Sequence, residues 1–317
     1  MQNKQCSFAF YPYPPFGCLS NLARRLNSTV ADMDQLIAKV PSSYLKNPIP
    51  KKGGGVRDPF SVVAPLKSIQ DRIKCLILKQ AEYPYYLMGG LPKRDHVRNA
   101  QIHAGARVML NEDVAAFYPS ISATMVFDIW RNFFHFPSDV SRVLTGLTTF
   151  QGQLPQGAKT SSYLANLIFC QTEPRLVQKL SSMDFIYTRF VDDITISSTS
   201  DKSPQQIGSA IGAVASMLTR FGMKFKRKKH KIVRAGQRME VTGLVVGKKK
   251  VGLLKKRRSD IRALVHHCKT EGLDPNSPDS KTLRKASSLV GQYSRFHPGQ
   301  GQVLKSGLTQ LKEERAD

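Results

Sequence analysis

The sequence predicts an α+β fold: a mixed sheet with helices packed on one side. Three observations carry that expectation. Residues 107–113 form a strand pattern in which Val108 and Leu110 recur at period two. Residues 186–197 form a hairpin pattern, two β-prone runs (IYTRFV and ITIS) flanking Asp192 and Asp193. Helical patterns over 160–177 and 207–221 separate these from a short strand over 241–246, so the order is β, α, β-hairpin, α, β.

The remaining elements follow in chain order. A Pro/aromatic segment opens the chain and leads to a helical pattern over 31–40. The run Lys51, Lys52, Gly53, Gly54, Gly55, Val56, Arg57 places glycines between cations, the pattern of a hairpin tip that carries positive charge. Residues 66–81 present Ile69, Ile73, Leu76 and Ile77 on one helical face. Thr160, Ser161 and Ser162 can cap the helix over 160–177, whose Leu164, Leu167 and Ile168 face inward. The stretch 224–234 is heavily basic, and from Lys255 onward the pattern is helical and basic. No internal repeat or low-complexity linker interrupts it.

A chain of 317 residues can build one large domain or two to three subdomains around a cleft. Its 48 Lys and Arg against 23 Asp and Glu give a net charge of +25, which points to a polyanionic partner, nucleic acid first. Cys6, Cys18, Cys75, Cys170 and Cys268 are odd in number and lack CxxC spacing, against a disulfide framework or a zinc site. The N-terminus lacks the pattern of a signal peptide, and no apolar run approaches the roughly 20 residues that span a bilayer, so a cytoplasmic protein without membrane contact is expected.

The chemistry rests on carboxylates. Asp113 ends a predicted strand, and Asp192 and Asp193 sit at a hairpin tip. Side by side, these anions repel unless cations neutralise them, and Mg²⁺ is the hard cation that binds a few carboxylates and completes its shell with phosphates. Two such ions can bracket the attacking and leaving oxygens of a phosphoryl transfer. Glu112 faces away from Asp113 and is expected to be structural or at the surface. Leu154, Pro155, Gln156, Gly157 and Ala158 place an amide side chain and free backbone before a helix, suited to a nucleotide or template base. Arg57, with Lys51 and Lys52 nearby, suits a triphosphate, and Lys228 or Lys229 a departing pyrophosphate.

Together these segments resemble the polymerase domain of reverse transcriptases. Residues 113–120 (DVAAFYPS) resemble motif A, and LPQGAKTSS from Leu154 with the following Leu164, Ala165, Asn166 and Leu167 resembles motif B. Phe190, Val191, Asp192 and Asp193 resemble motif C, with Phe in place of the usual Tyr; residues 222–230 resemble motif D. Arg57 and Leu66, Lys67 and Gln70 resemble the fingers motif. Lys159 and Ser162 stand where motif B commonly has prolines, and Lys226 and His230 where motif D has Asn and Thr. Asn99, Ala100 and His103 match the Asn-Ala-x-x-His element of bacterial retron reverse transcriptases, and Val241, Thr242 and Gly243 their Val-Thr-Gly element.

The resemblance implies a right-hand polymerase with an antiparallel palm sheet backed by helices. Residues 1–105 would form the N-terminal region and fingers, 106–248 the palm, and 249–317 a small basic thumb. It implies that Asp113, Asp192, Asp193 and the Val114 carbonyl hold two Mg²⁺ ions, with Lys229 as general acid. Tyr118 would reject a ribose 2′-OH, Gln156 touch the incoming nucleotide, and Arg57 and Lys67 its phosphates. Asn99, His103 and Thr242 would contact nucleic acid. For a retron enzyme, the partners are dNTPs, a structured noncoding RNA that is both template and primer through a guanosine 2′-OH, the branched RNA–DNA product, and an effector protein of anti-phage defence. The alternatives are a diversity-generating or CRISPR-associated reverse transcriptase, or a non-catalytic RNA-binding scaffold; the Asn-Ala-x-x-His and Val-Thr-Gly pairing and the three intact carboxylates argue against them.

Overall fold

A computed structural model describes residues 6–50, 56–57, 59–270 and 279–313. Lys51 and Lys52, expected at a cationic tip, lie outside the described residues. The chain opens with helices α1 (Leu19–Arg25) and α2 (Val30–Ala38). Thr29 starts α2 with a reciprocal cap: its hydroxyl accepts from the Asp32 N–H, and the Asp32 carboxylate accepts from the Thr29 N–H. Strands β1 (Tyr44–Lys46), β2 (Ile49–Pro50), β3 (Val56–Arg57) and β4 (Phe60–Val62) follow. β2 pairs with β3 and β1 with β4, both antiparallel, so Arg57 lies on the inner pair opposite Ile49.

Helix α3 (Leu66–Leu76) buries Leu66, Ile69 and Ile73 and gives way to a 3₁₀ turn at Leu78–Gln80. Helix α4 (His96–Ile102) is capped by the Asp95 carboxylate, which accepts from the Arg98 N–H at 2.8 Å. Then come β5 (Val108–Asp113), α5 (Phe117–Ser120), α6 (Ala123–Asp128), α7 (Ser138–Thr148), α8 (Ser161–Leu167) and α9 (Glu173–Ser182). One helix was expected over 160–177; two are found, with Pro174 in the first turn of α9. A proline cannot continue a helix, because it lacks the N–H and its ring collides with the carbonyl four residues back.

The chain continues through β6 (Ile186–Phe190), β7 (Asp193–Ser198), α10 (Pro204–Arg220) and β8 (Lys231–Arg234). Next are β9 (Met239–Val241), β10 (Leu244–Val246), β11 (Val251–Leu253) and helices α11 (Lys255–Thr270), α12 (Asp279–Ser294) and α13 (Pro298–Glu313). The single strand expected over 241–246 is a hairpin. Its two-residue turn, Thr242 (φ 47°) and Gly243 (φ 81°), has both residues left-handed, as a tight turn matched to strand twist requires.

The central sheet has the order β6-β7-β5-β8, with every neighbouring pair antiparallel. It is therefore antiparallel, as the resemblance implies, rather than mixed. Successive residues of β5 point to opposite faces. Val108 and Leu110 enter the larger core, and Met109 enters a second core built from β9, β10 and helices α11 to α13. Each fully buried Leu or Phe in these cores contributes on the order of 2 kcal/mol. The expected 248/249 boundary falls inside the β10–β11 hairpin. Among the described residues no disulfide links the cysteines, and no helix is long and apolar enough to cross a membrane.

Candidate active site

Register brings the carboxylates together. Asp113, the last residue of β5, is the direct partner of Asp193, the first residue of β7. Asp192 belongs to the two-residue turn before it and accepts the Val114 N–H on its carbonyl at 3.0 Å. Asp113 is buried and Asp193 half-buried. That partial burial, with the charges of Asp192 and Asp113, pushes the Asp193 carboxyl up to about 6 despite Lys229.

The Lys229 ammonium donates to Asp113 and lies 3.7 Å from Asp193. Burial alone would lower its pKa, but the Asp113 hydrogen bond and the surrounding carboxylates raise it. Among the described residues no three His, Cys, Asp or Glu side chains close into a ready metal cage. The donor set nevertheless suits Mg²⁺, which takes few protein oxygens and fills its shell with water and phosphate. A cation already bridges two of the carboxylates, so the cluster accepts positive charge between Asp113 and Asp193.

The turn carrying the acids is strained and braced. Val191 has φ 62°, an uncommon conformation for a β-branched residue. The Arg189 guanidinium, buried beneath it, donates to the Val191 carbonyl at 3.1 Å and to Asn166 at 3.1 Å, near the end of α8. Glu173 receives it through two bonds, at 2.6 and 2.8 Å, and also accepts from the Tyr187 hydroxyl at 2.7 Å. Burial opposes the Arg189 charge, and Glu173 outweighs that and raises its pKa. Gly89 lies against the same turn: a Cβ there would stand 2.6 Å from the Val191 side chain and 2.8 Å from its nitrogen. The Gly89 carbonyl accepts from the Asn166 amide at 2.8 Å. Arg189, Glu173 and Gly89 escape sequence reasoning, although a cation three residues before the first acid, inside a β-prone strand, is a usable signal.

Tyr118, in α5, lies close enough to Asp192 that burial first and that charge second push its phenol up to about 12. The Gln156 carbonyl accepts from the Phe60 N–H at 2.7 Å, which brings the Gln156 loop against β4. Arg57 lies on the neighbouring inner strand pair, and Lys67 is exposed in the first turn of α3. Gly157 permits the approach: at φ 107°, a Cβ would meet the Phe60 carbonyl at 2.4 Å. Lys228 is exposed beside Lys229.

The three residues expected to contact nucleic acid behave differently. His103 is 1% exposed, and its ring bridges Ser197 at 2.7 Å and Thr188 at 2.8 Å, so it ties α4 to β6 and β7. Asn99 is also 1% exposed, and its amide has no hydrogen-bond partner among the described residues. Both side chains are buried in this structure, away from the surface. Thr242 is partly exposed and donates to the His96 carbonyl at 3.2 Å, joining the β9–β10 turn to α4. Glu112 is buried, not at the surface, and pairs with His230 Nδ1 at 2.5 Å.

The chain is similar to known proteins over most of its length. The family described as reverse transcriptase (RNA-dependent DNA polymerase) matches residues 49–256. The chain is 34% identical to the Retron Se72 reverse transcriptase of Salmonella heidelberg (strain 579083-10), covering 94% of this chain and 80% of that one. It is 30% identical to the Retron Ec48 and Retron Ec86 reverse transcriptases of Escherichia coli, covering 87% and 80% of this chain and 71% and 79% of theirs.

Proposed function

The chain belongs to the reverse transcriptase family, and from that premise we propose that it is the RNA-directed DNA polymerase of a retron, copying a structured noncoding RNA into branched single-stranded DNA from a guanosine 2′-OH. The observation that carries the reading is the pairing of Asp113 with Asp193 across β5 and β7, with Asp192 in the adjoining turn. Asp113, Asp192, Asp193 and the Val114 carbonyl would hold two Mg²⁺ ions, which would offset charge on the attacking and leaving oxygens. Tyr118, beside Asp192, would exclude a ribose 2′-OH. Gln156 would touch the incoming dNTP, with Arg57 and Lys67 on its phosphates. Lys229, protonated beside the carboxylates, would deliver a proton to the departing pyrophosphate.

We assign the fingers to the chain before about residue 105 and the palm to the four-stranded sheet and its helices. The thumb begins nearer residue 239 than 249, because β9 to β11 share a core with α11 to α13. Asn99, His103 and Thr242 act indirectly in this reading, by fixing α4 and the β9–β10 turn as one surface toward the RNA. The proposal extends to an effector protein acting with the enzyme in anti-phage defence.

The test is expression with the native upstream region, followed by extraction of short DNA and treatment with RNase and a 2′,5′-debranching enzyme. A discrete single-stranded DNA whose mobility shifts on debranching is expected. If no such DNA forms while purified protein copies a primed RNA, the enzyme is a reverse transcriptase of another bacterial type.

A further inference from the structure

The N-terminal Pro/aromatic segment is unused by the polymerase chemistry, yet it is firmly placed. Phe10 pairs with Glu82 through two backbone hydrogen bonds, at 3.2 and 2.9 Å. Tyr11 packs edge-on against the buried Phe134 at 4.9 Å, and Phe16 lies 5.3 Å from the buried Phe136. On this anchored ribbon, Phe8, Phe10 and Tyr13 are 57%, 41% and 53% exposed. Exposed aromatic residues on a fixed backbone leave apolar ring surface open to a partner.

Behind Tyr13 lies a cleft of about 530 Å³ between this segment, α1 and the C-terminal end of α3. Tyr13, Phe16, Asn21, Arg24, Arg25 and Gln80 line it. Arg24 and Arg25 occupy the last turn of α1, and Arg24 also donates to the Asn21 carboxamide at 3.3 Å. None of these residues belongs to the catalytic set, and the cleft sits at the opposite end of α3 from Lys67, about 15 Å along the helix axis.

We infer that this cleft binds a short unpaired stretch of RNA, one base stacking on Tyr13 with its phosphates on Arg24 and Arg25. Ring faces supply stacking, Asn21 and Gln80 offer donors and acceptors to a base edge, and the guanidiniums take phosphate. The concave shape suits splayed bases and not a duplex. The net charge of +25 favours a polyanion over a neutral peptide. The inference rests on the reading of the chain as an RNA-copying enzyme: it adds a second contact to the same RNA, outside the polymerase cleft.

The test uses the full-length protein, the upstream noncoding RNA and an unstructured ten-nucleotide RNA. Binding is measured for wild type, Tyr13→Ala, Tyr13→Trp and the double variant Arg24→Ala, Arg25→Ala. Ultraviolet crosslinking then locates the contact. Tyr13→Ala and the double arginine variant should each weaken binding of both RNAs about tenfold. Tyr13→Trp should keep wild-type affinity, and the wild-type crosslink should fall between residues 6 and 25. Extension of a primed homopolymer RNA should be unchanged in all variants. Wild-type affinity in Tyr13→Ala and the arginine variant would overturn the proposal. So would a crosslink elsewhere, or competition for the cleft by a protein partner that leaves RNA binding intact. Failure of wild-type protein to extend any primed RNA would instead count against the polymerase reading, since the binding measurements do not depend on catalysis.

Discussion

At the scale of single residues, the structure turns on groups whose charge is fixed by burial. His103 is enclosed between Ser197 and Thr188, and burial pushes its pKa down to about 3 from its ordinary 6.5. The folded value lies below the unfolded one, so on acidification the unfolded chain takes up the proton first. Stability is intact above pH ~6.5 and falls by about 1.4 kcal/mol per pH unit below it, until the folded imidazole also titrates. Denaturant unfolding should therefore show wild type losing about 2 kcal/mol more than His103→Gln between pH 6.5 and 5. Equal losses would show that His103 is not held neutral. Arg189 and Glu173 make the converse case of a buried charge kept by its partner. Glu173→Gln leaves that cation uncompensated and should cost about 3–5 kcal/mol. The double variant Arg189→Met, Glu173→Leu should recover most of the stability but not the turnover, because the carbonyl of Val191 loses its donor. Wild-type kcat in the double variant would mean that the pair is structural only.

At the scale of elements, sequence pattern carried the strands further than the helices. The hairpin over 186–198 and the strand ending at Asp113 were legible because alternation and two adjacent acids are local signals. The break between α8 and α9 had a local signal too, Pro174, which apolar periodicity masked. The Thr242–Gly243 turn hid inside an apolar run for the same reason. Gly89, Gly157 and the Arg189 bonds were not legible, because each depends on how separate elements pack, or on backbone direction. Gly157→Ala tests the element packing: its Cβ collides with the Phe60 carbonyl, so the loop bearing Gln156 must move. It should cost about 1–3 kcal/mol and raise the KM for dNTP more than it lowers thermal stability. Gly208→Ala and Gly212→Ala, in open positions inside α10, should each raise stability by up to about 1 kcal/mol without changing the KM. An unchanged KM in Gly157→Ala would remove Gln156 from the nucleotide site.

At the scale of the whole molecule, one strand serves two bodies. β5 sends Val108 and Leu110 into the core beneath the carboxylates and Met109 into the core shared with the C-terminal helices. The Arg295–Asp95 ion pair, 2.8 Å long, fastens those helices back onto the cap of α4. The charge of +25 made a polyanionic partner legible from composition, and the resemblance of the motifs to those of reverse transcriptases implied the polymerase. The shared core was not, because the sequence does not show which face of β5 meets which helices. The proposed function makes Asp113, Asp192 and Asp193 the catalytic centre of an RNA-copying enzyme. The direct measurement is dNTP incorporation on a primed RNA with Mg²⁺, comparing wild type with Asp193→Asn, alongside RNA affinity for both. Wild type should synthesise DNA robustly and Asp193→Asn roughly a hundredfold less or worse, with equal RNA binding; undiminished synthesis by Asp193→Asn would remove these carboxylates from the catalytic centre.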